Sequence, residues 1–87
     1  MESAENIRAT VQHAIQKVLE NSGRDRHSFE DDELLAVEVG LDSLDLAQVV
    51  VLLEQQLGVD PFRKRGAAIR TFADLVRAYR TELESTR

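Results

Sequence analysis

The chain has 87 residues, 43% apolar and 31% charged, with four glycines and one proline; this globular composition admits a single domain over 1–87 and leaves no room for a cleft between lobes. The absence of cysteine excludes a disulfide framework, a thiolate metal site and a protein thiol nucleophile. A net charge of −5 argues against a nucleic-acid partner, and no apolar run approaches the roughly 18 residues that cross a bilayer.

The opening MESAENIRAT lacks the basic start and apolar stretch of a signal peptide, so the cytoplasm is the expected compartment. Ile7, Val11, Ala14, Ile15 and Val18 then recur on one helical face, which predicts a first helix over about 3–20 with Ser3 as its cap. Asn21, Ser22 and Gly23 end it, and a long loop follows. That loop holds Phe29, Leu34, Leu35, Val37 and Val39, too many apolar residues for a fully solvated connector, so several must pack on the helices.

Leu46, Val49, Val50, Leu53 and Leu57 form the stripe of a core-facing second helix over about 43–57, closed by Gly58. Asp42 and Ser43 stand at its start, where short polar side chains cap unpaired backbone donors; a cap at Ser43 is worth about 1 kcal/mol. Asp60 and Pro61 signal a short third helix that Gly66 confines to a turn or two. Thr71 and Asp74 imitate a capping box, and Phe72, Leu75, Val76, Tyr79 and Leu83 repeat the core stripe, predicting a closing helix over about 71–84. One-sided helices of this kind satisfy one another in an all-α bundle of four helices, the third of them short.

Charge is distributed unevenly. Residues 30–60 carry Glu30, Asp31, Asp32, Glu33, Glu38, Asp42, Asp45, Glu54 and Asp60 without one Lys or Arg, whereas Arg63, Lys64 and Arg65 reverse the sign. A negative face attracts basic partner proteins; it is also what a merely solubilising surface looks like. Beside the core stripe of the second helix, Leu44, Ala47 and Val51 form another apolar stripe, bordered by Asp45, Gln48 and Gln55, that suits docking by a protein.

Catalysis from within is not expected. His13 and His27 have no spaced partner, no metal-ligand cluster occurs, and Glu30 to Glu33 lacks the alternation and central glycine of a calcium loop.

The segment VGLDSLDLAQVVVLLEQQLG resembles the attachment motif and recognition helix of acyl carrier proteins of the discrete, stand-alone kind, and the order of elements agrees over nearly the whole chain. The resemblance implies a non-catalytic carrier. Ser43 would be esterified with 4'-phosphopantetheine from coenzyme A by a magnesium-dependent transferase, and acyl groups would ride as thioesters between partner enzymes. It further implies a monomer whose partners read Asp42, Leu44, Asp45, Ala47, Gln48, Val51 and Glu54. The acyl chain would fold back among Val49, Val50, Leu53, Phe72 and Leu75, residues the core needs equally. Gln48, Gln55, Gln56 and the basic Arg63, Lys64 and Arg65 depart from the acidic pattern of bacterial fatty-acid carriers and point to a separate lipid or polyketide-type pathway. A peptidyl or aminoacyl carrier and a helical adaptor without a prosthetic group are the alternatives; an esterase using Ser43 lacks a nearby base.

Overall fold

Helix α1 (Ala4–Asn21) forms where the first apolar stripe lies, and Ile7, Val11, Ala14, Ile15 and Val18 are all buried, joined by Leu19. The computed structural model describes residues 4–24, 28–61 and 69–85, with Ala4 and Glu5 described by backbone alone. Ser3, His27, the short third helix and the basic Arg63 to Arg65 therefore lie outside the described residues.

The end of α1 is a Schellman motif. Gly23, at φ +79°, donates its N–H to the Glu20 carbonyl (3.0 Å), and Arg24 donates to the Leu19 carbonyl (2.7 Å). The left-handed turn at Gly23 thereby fixes the direction in which Arg24 leaves the helix.

The loop packs as its apolar content requires, but it also contains an element that periodicity does not reveal. Phe29, Leu35 and Val39 are buried while Leu34 and Val37 stay exposed. Leu35–Val39 winds into a single π-helical turn, closed at Gly40 with φ +86°. The backbone around it serves α3 (Phe72–Ser85): Leu35 N–H donates to the Arg70 carbonyl, while Phe72 and Ala73 donate to the carbonyls of Glu33 and Asp31. Two of the otherwise unpaired donors at the start of α3 are thus satisfied by the loop. Thr71 and Asp74 complete the expected capping box, with Asp74 N–H donating to Thr71 Oγ1 (3.1 Å) and Thr71 N–H to Asp74 Oδ2 (3.2 Å).

Helix α2 (Ser43–Leu57) has the expected bounds, and Gly58 closes it in the left-handed region. It and α3 both pack against α1, so α1 is the spine of the bundle. From α2, Val49 and Leu53 reach the core; from α3, Phe72, Leu75, Val76 and Tyr79 do. Leu46, Val50 and Leu57 of the expected stripe are half-buried at its edge. The one strand-like pairing among the described residues is an isolated antiparallel bridge between Leu34 and Thr71. The all-α class is as expected.

Tyr79 is enclosed in this core, and among the described residues its hydroxyl has no hydrogen-bond partner. Burial, with the charges of Asp60 and Glu54 behind it, pushes the phenol well above its ordinary range. Tyr79→Phe removes the unpaired oxygen and keeps the ring, so it is expected to raise stability by about 1 kcal/mol. For a domain this small the melting temperature rises by about 4 to 8 °C. A lower melting temperature than wild type would show that the hydroxyl is bonded after all.

Candidate functional site

The start of α2 is set by a capping box that the sequence only half discloses. Asp42, not Ser43, is the cap: its Oδ1 accepts from Asp45 N–H (2.8 Å), and Asp45 Oδ2 accepts in return from Asp42 N–H (3.3 Å). Ser43 is the first helical residue. Its side chain is exposed and takes no part in the cap. The expectation that Ser43 caps α2 is therefore corrected, because the preceding aspartate already fills that position.

Asp45 sits differently from a freely presented surface charge. Its side chain is 13% exposed and pairs with the Arg24 guanidinium at 2.8 Å. The hydrogen bond from Arg24 holds the carboxyl below its ordinary value, against the opposing effect of burial and with help from the Asp42 backbone. Asp42, Leu44, Ala47, Gln48, Val51 and Glu54, the other expected recognition residues, are all exposed, with Leu44 at 68% and Val51 at 52%. Ala47, Gln48 and Val51 form one wall of a shallow groove whose other wall is Lys17, Val18 and Asn21 of α1.

Beside Ser43 lies a larger apolar groove of about 460 Å³. Leu34, Leu35, Ala36 and Val37 of the loop, Leu41, Leu46 of α2, and Ile69 and Arg70 before α3 line it together with Asp42 and Ser43. The residues expected to line an acyl pocket are elsewhere: Val49, Leu53, Phe72 and Leu75 are fully enclosed in the core and Val50 is half-buried. The groove instead uses the apolar loop residues whose number had already marked them as packed; Leu41, Ile69 and Arg70 gave no such signal.

His13 is exposed on α1, and among the described residues no His, Asp and Glu group is arranged to hold a metal ion. No helix of the described residues is long and apolar enough to cross a membrane.

A family model described as the phosphopantetheine attachment site matches residues 9–79. The chain belongs to that family. No curated protein and no solved structure gives a match. Phosphopantetheine-attachment domains carry a covalently bound 4'-phosphopantetheine and are not themselves catalysts; they work through a transferase and the enzymes of a pathway.

The start of α2 meets the chemical demands of a phosphopantetheine-attachment domain. An exposed hydroxyl stands at the helix end where peptide dipoles favour negative charge, which suits a phosphodiester. Arg70 lines the adjoining groove and, with Arg24 on Asp45, brings positive charge to this end of α2. When bound, the group would supply the thiol that this cysteine-free chain lacks.

Proposed function

We propose that the chain is an acyl carrier domain modified at Ser43. The observation that carries this reading is the position of Ser43 as the exposed first residue of α2, within GLDSL, on the wall of an apolar groove. In the attachment step the Ser43 Oγ bonds to the β-phosphorus of coenzyme A, the pyrophosphate bond breaks, and adenosine 3',5'-bisphosphate leaves. The hydroxyl proton passes to a base on the transferase, because among the described residues no histidine lines the groove beside Ser43 and an unassisted serine is a weak nucleophile.

The exposed face of Asp42, Leu44, Ala47, Gln48, Val51 and Glu54 is the surface partners read. Its apolar centre and sparse charge make recognition less electrostatic than on a strongly acidic helix. With Gln48, Gln55 and Gln56 on α2 and the basic run Arg63 to Arg65 after it, this supports a dedicated lipid or polyketide-type pathway. The apolar lining of the groove favours an acyl chain over an aminoacyl cargo.

Parallel loading of the modified protein by acyl-transferring and aminoacyl-activating enzymes separates the two. Intact mass is expected to show acyl thioester accumulating and aminoacyl thioester not. Preferential aminoacyl loading would assign the chain to the peptidyl carriers instead.

A further inference from the structure

We infer that Arg24 is a positioning residue for the modification of Ser43: its guanidinium ties the end of α1 to the Gly40 carbonyl ahead of α2 and to the Asp45 carboxylate in its first turn. The inference rests on Ser43 being the attachment residue. Arg24 reaches three groups. Its Nη1 donates to the Gly40 carbonyl, its Nη2 donates to Asp45 Oδ2 (2.8 Å), and Nε and Nη2 both donate to Ser22 Oγ (3.1 and 2.9 Å).

Each end of this clamp is itself fixed. The Schellman motif holds the Arg24 backbone through its bond to Leu19, and Ser22 Oγ is anchored to the Leu19 carbonyl at 3.1 Å. At the far end, Asp45 Oδ2 is the same oxygen that accepts from Asp42 N–H to close the capping box around Ser43. Gly40 is the left-handed hinge between the π-helical turn and α2, and a Cβ there would stand 3.3 Å from Arg24 Nη1, so the guanidinium is seated close against the backbone. The fork geometry matters. One planar guanidinium can serve a carbonyl and a carboxylate at once, which a lysine ammonium, a point charge on a flexible stem, does not reproduce.

Without Arg24, the Gly40 hinge and the Asp45 carboxylate each lose a partner, and the first turn of α2 can present Ser43 in more than one orientation. A transferase then meets the hydroxyl aligned for attack on the coenzyme A phosphorus in only a fraction of encounters. The loss falls on turnover. Encounter itself does not suffer, because the exposed residues Asp42, Leu44, Ala47, Gln48, Val51 and Glu54 are left in place.

The test is steady-state kinetics of the apo protein with a broad-specificity phosphopantetheinyl transferase and saturating coenzyme A, comparing wild type, Arg24→Ala, Arg24→Lys and the double variant Arg24→Ala with Asp45→Asn. Arg24→Ala is expected to lower kcat about tenfold or more, as misplacing a reacting group does, with KM for the carrier unchanged or lower. Arg24→Lys should recover only part of the turnover. The double variant Arg24→Ala with Asp45→Asn should be no slower than Arg24→Ala alone, since both changes break one unit. Wild-type kcat in Arg24→Ala, or a raised KM with unchanged kcat, would overturn the inference. Should Arg24→Ala not fold, Arg24→Lys turning over as fast as wild type would overturn it equally. A wild type that is not modified at Ser43 fails the underlying assignment, whereas equal rates among variants that are modified fail the clamp alone.

Discussion

Phe72→Ala is expected to leave the domain close to unfolding. Phe72 is completely buried at the first position of α3, its ring stacks on Phe29 with centroids 5.5 Å apart, and the Arg8 guanidinium lies 4.9 Å over its face. Arg8 in turn donates to the Phe29 carbonyl (3.0 Å) and to Asp31 Oδ1 (3.1 Å). One ring therefore holds α1, the loop and α3 together. Truncation opens a cavity and removes the stack and the cation contact, a loss of about 3 to 5 kcal/mol. Small domains have only about 5 to 15 kcal/mol in total. Leu53→Ala, at a fully buried position of α2, opens a cavity at a cost of about 2 to 5 kcal/mol. Denaturant titrations followed by circular dichroism should show both midpoints falling, Phe72→Ala the further. Midpoints equal to wild type would mean that the helix faces are wrongly assigned.

Much of this fold was legible because helical stripes are a local signal. Ile7 to Val18, Val49 with Leu53, and Phe72 to Tyr79 turned up in the core because three helices, each apolar on one side, have few other ways to hide those sides. The Thr71 and Asp74 box was legible for the same reason, as its two members are three residues apart. Features that depend on distant pairs were not. The Arg24 contacts span 16 residues to Gly40 and 21 to Asp45, and no spacing rule connects them. The π-helical turn rests on carbonyls of Leu34 and Leu35 and on a bond to Arg70 across the fold, so its five residues carry no period of their own.

At the site, sequence located the start of α2 but not the division of labour within it. Asp42 and Ser43 are both good caps by composition, and only the geometry gives the cap to Asp42. Asp45 read as a partner-facing acid because its pairing with Arg24 is invisible along the chain. Val49, Leu53, Phe72 and Leu75 could serve as core or as pocket by their spacing. In the structure they are buried in the core, and the groove beside Ser43 is lined mainly by loop residues.

That division makes the largest functional effect a clean one. Because Ser43 is exposed and lies outside the capping box, Ser43→Ala removes no buried contact and no cap; its stability should stay within about 0.5 kcal/mol of wild type. Modification, by contrast, should vanish entirely, since the hydroxyl oxygen is the atom that bonds to phosphorus. The direct test is intact and tandem mass spectrometry of wild type and Ser43→Ala after incubation with coenzyme A, magnesium and a broad-specificity transferase. Wild type should gain one phosphopantetheinyl group, mapped to Ser43, while the folded Ser43→Ala gains none. An unmodified wild type with several transferases, or the same addition on Ser43→Ala, would contradict the assignment.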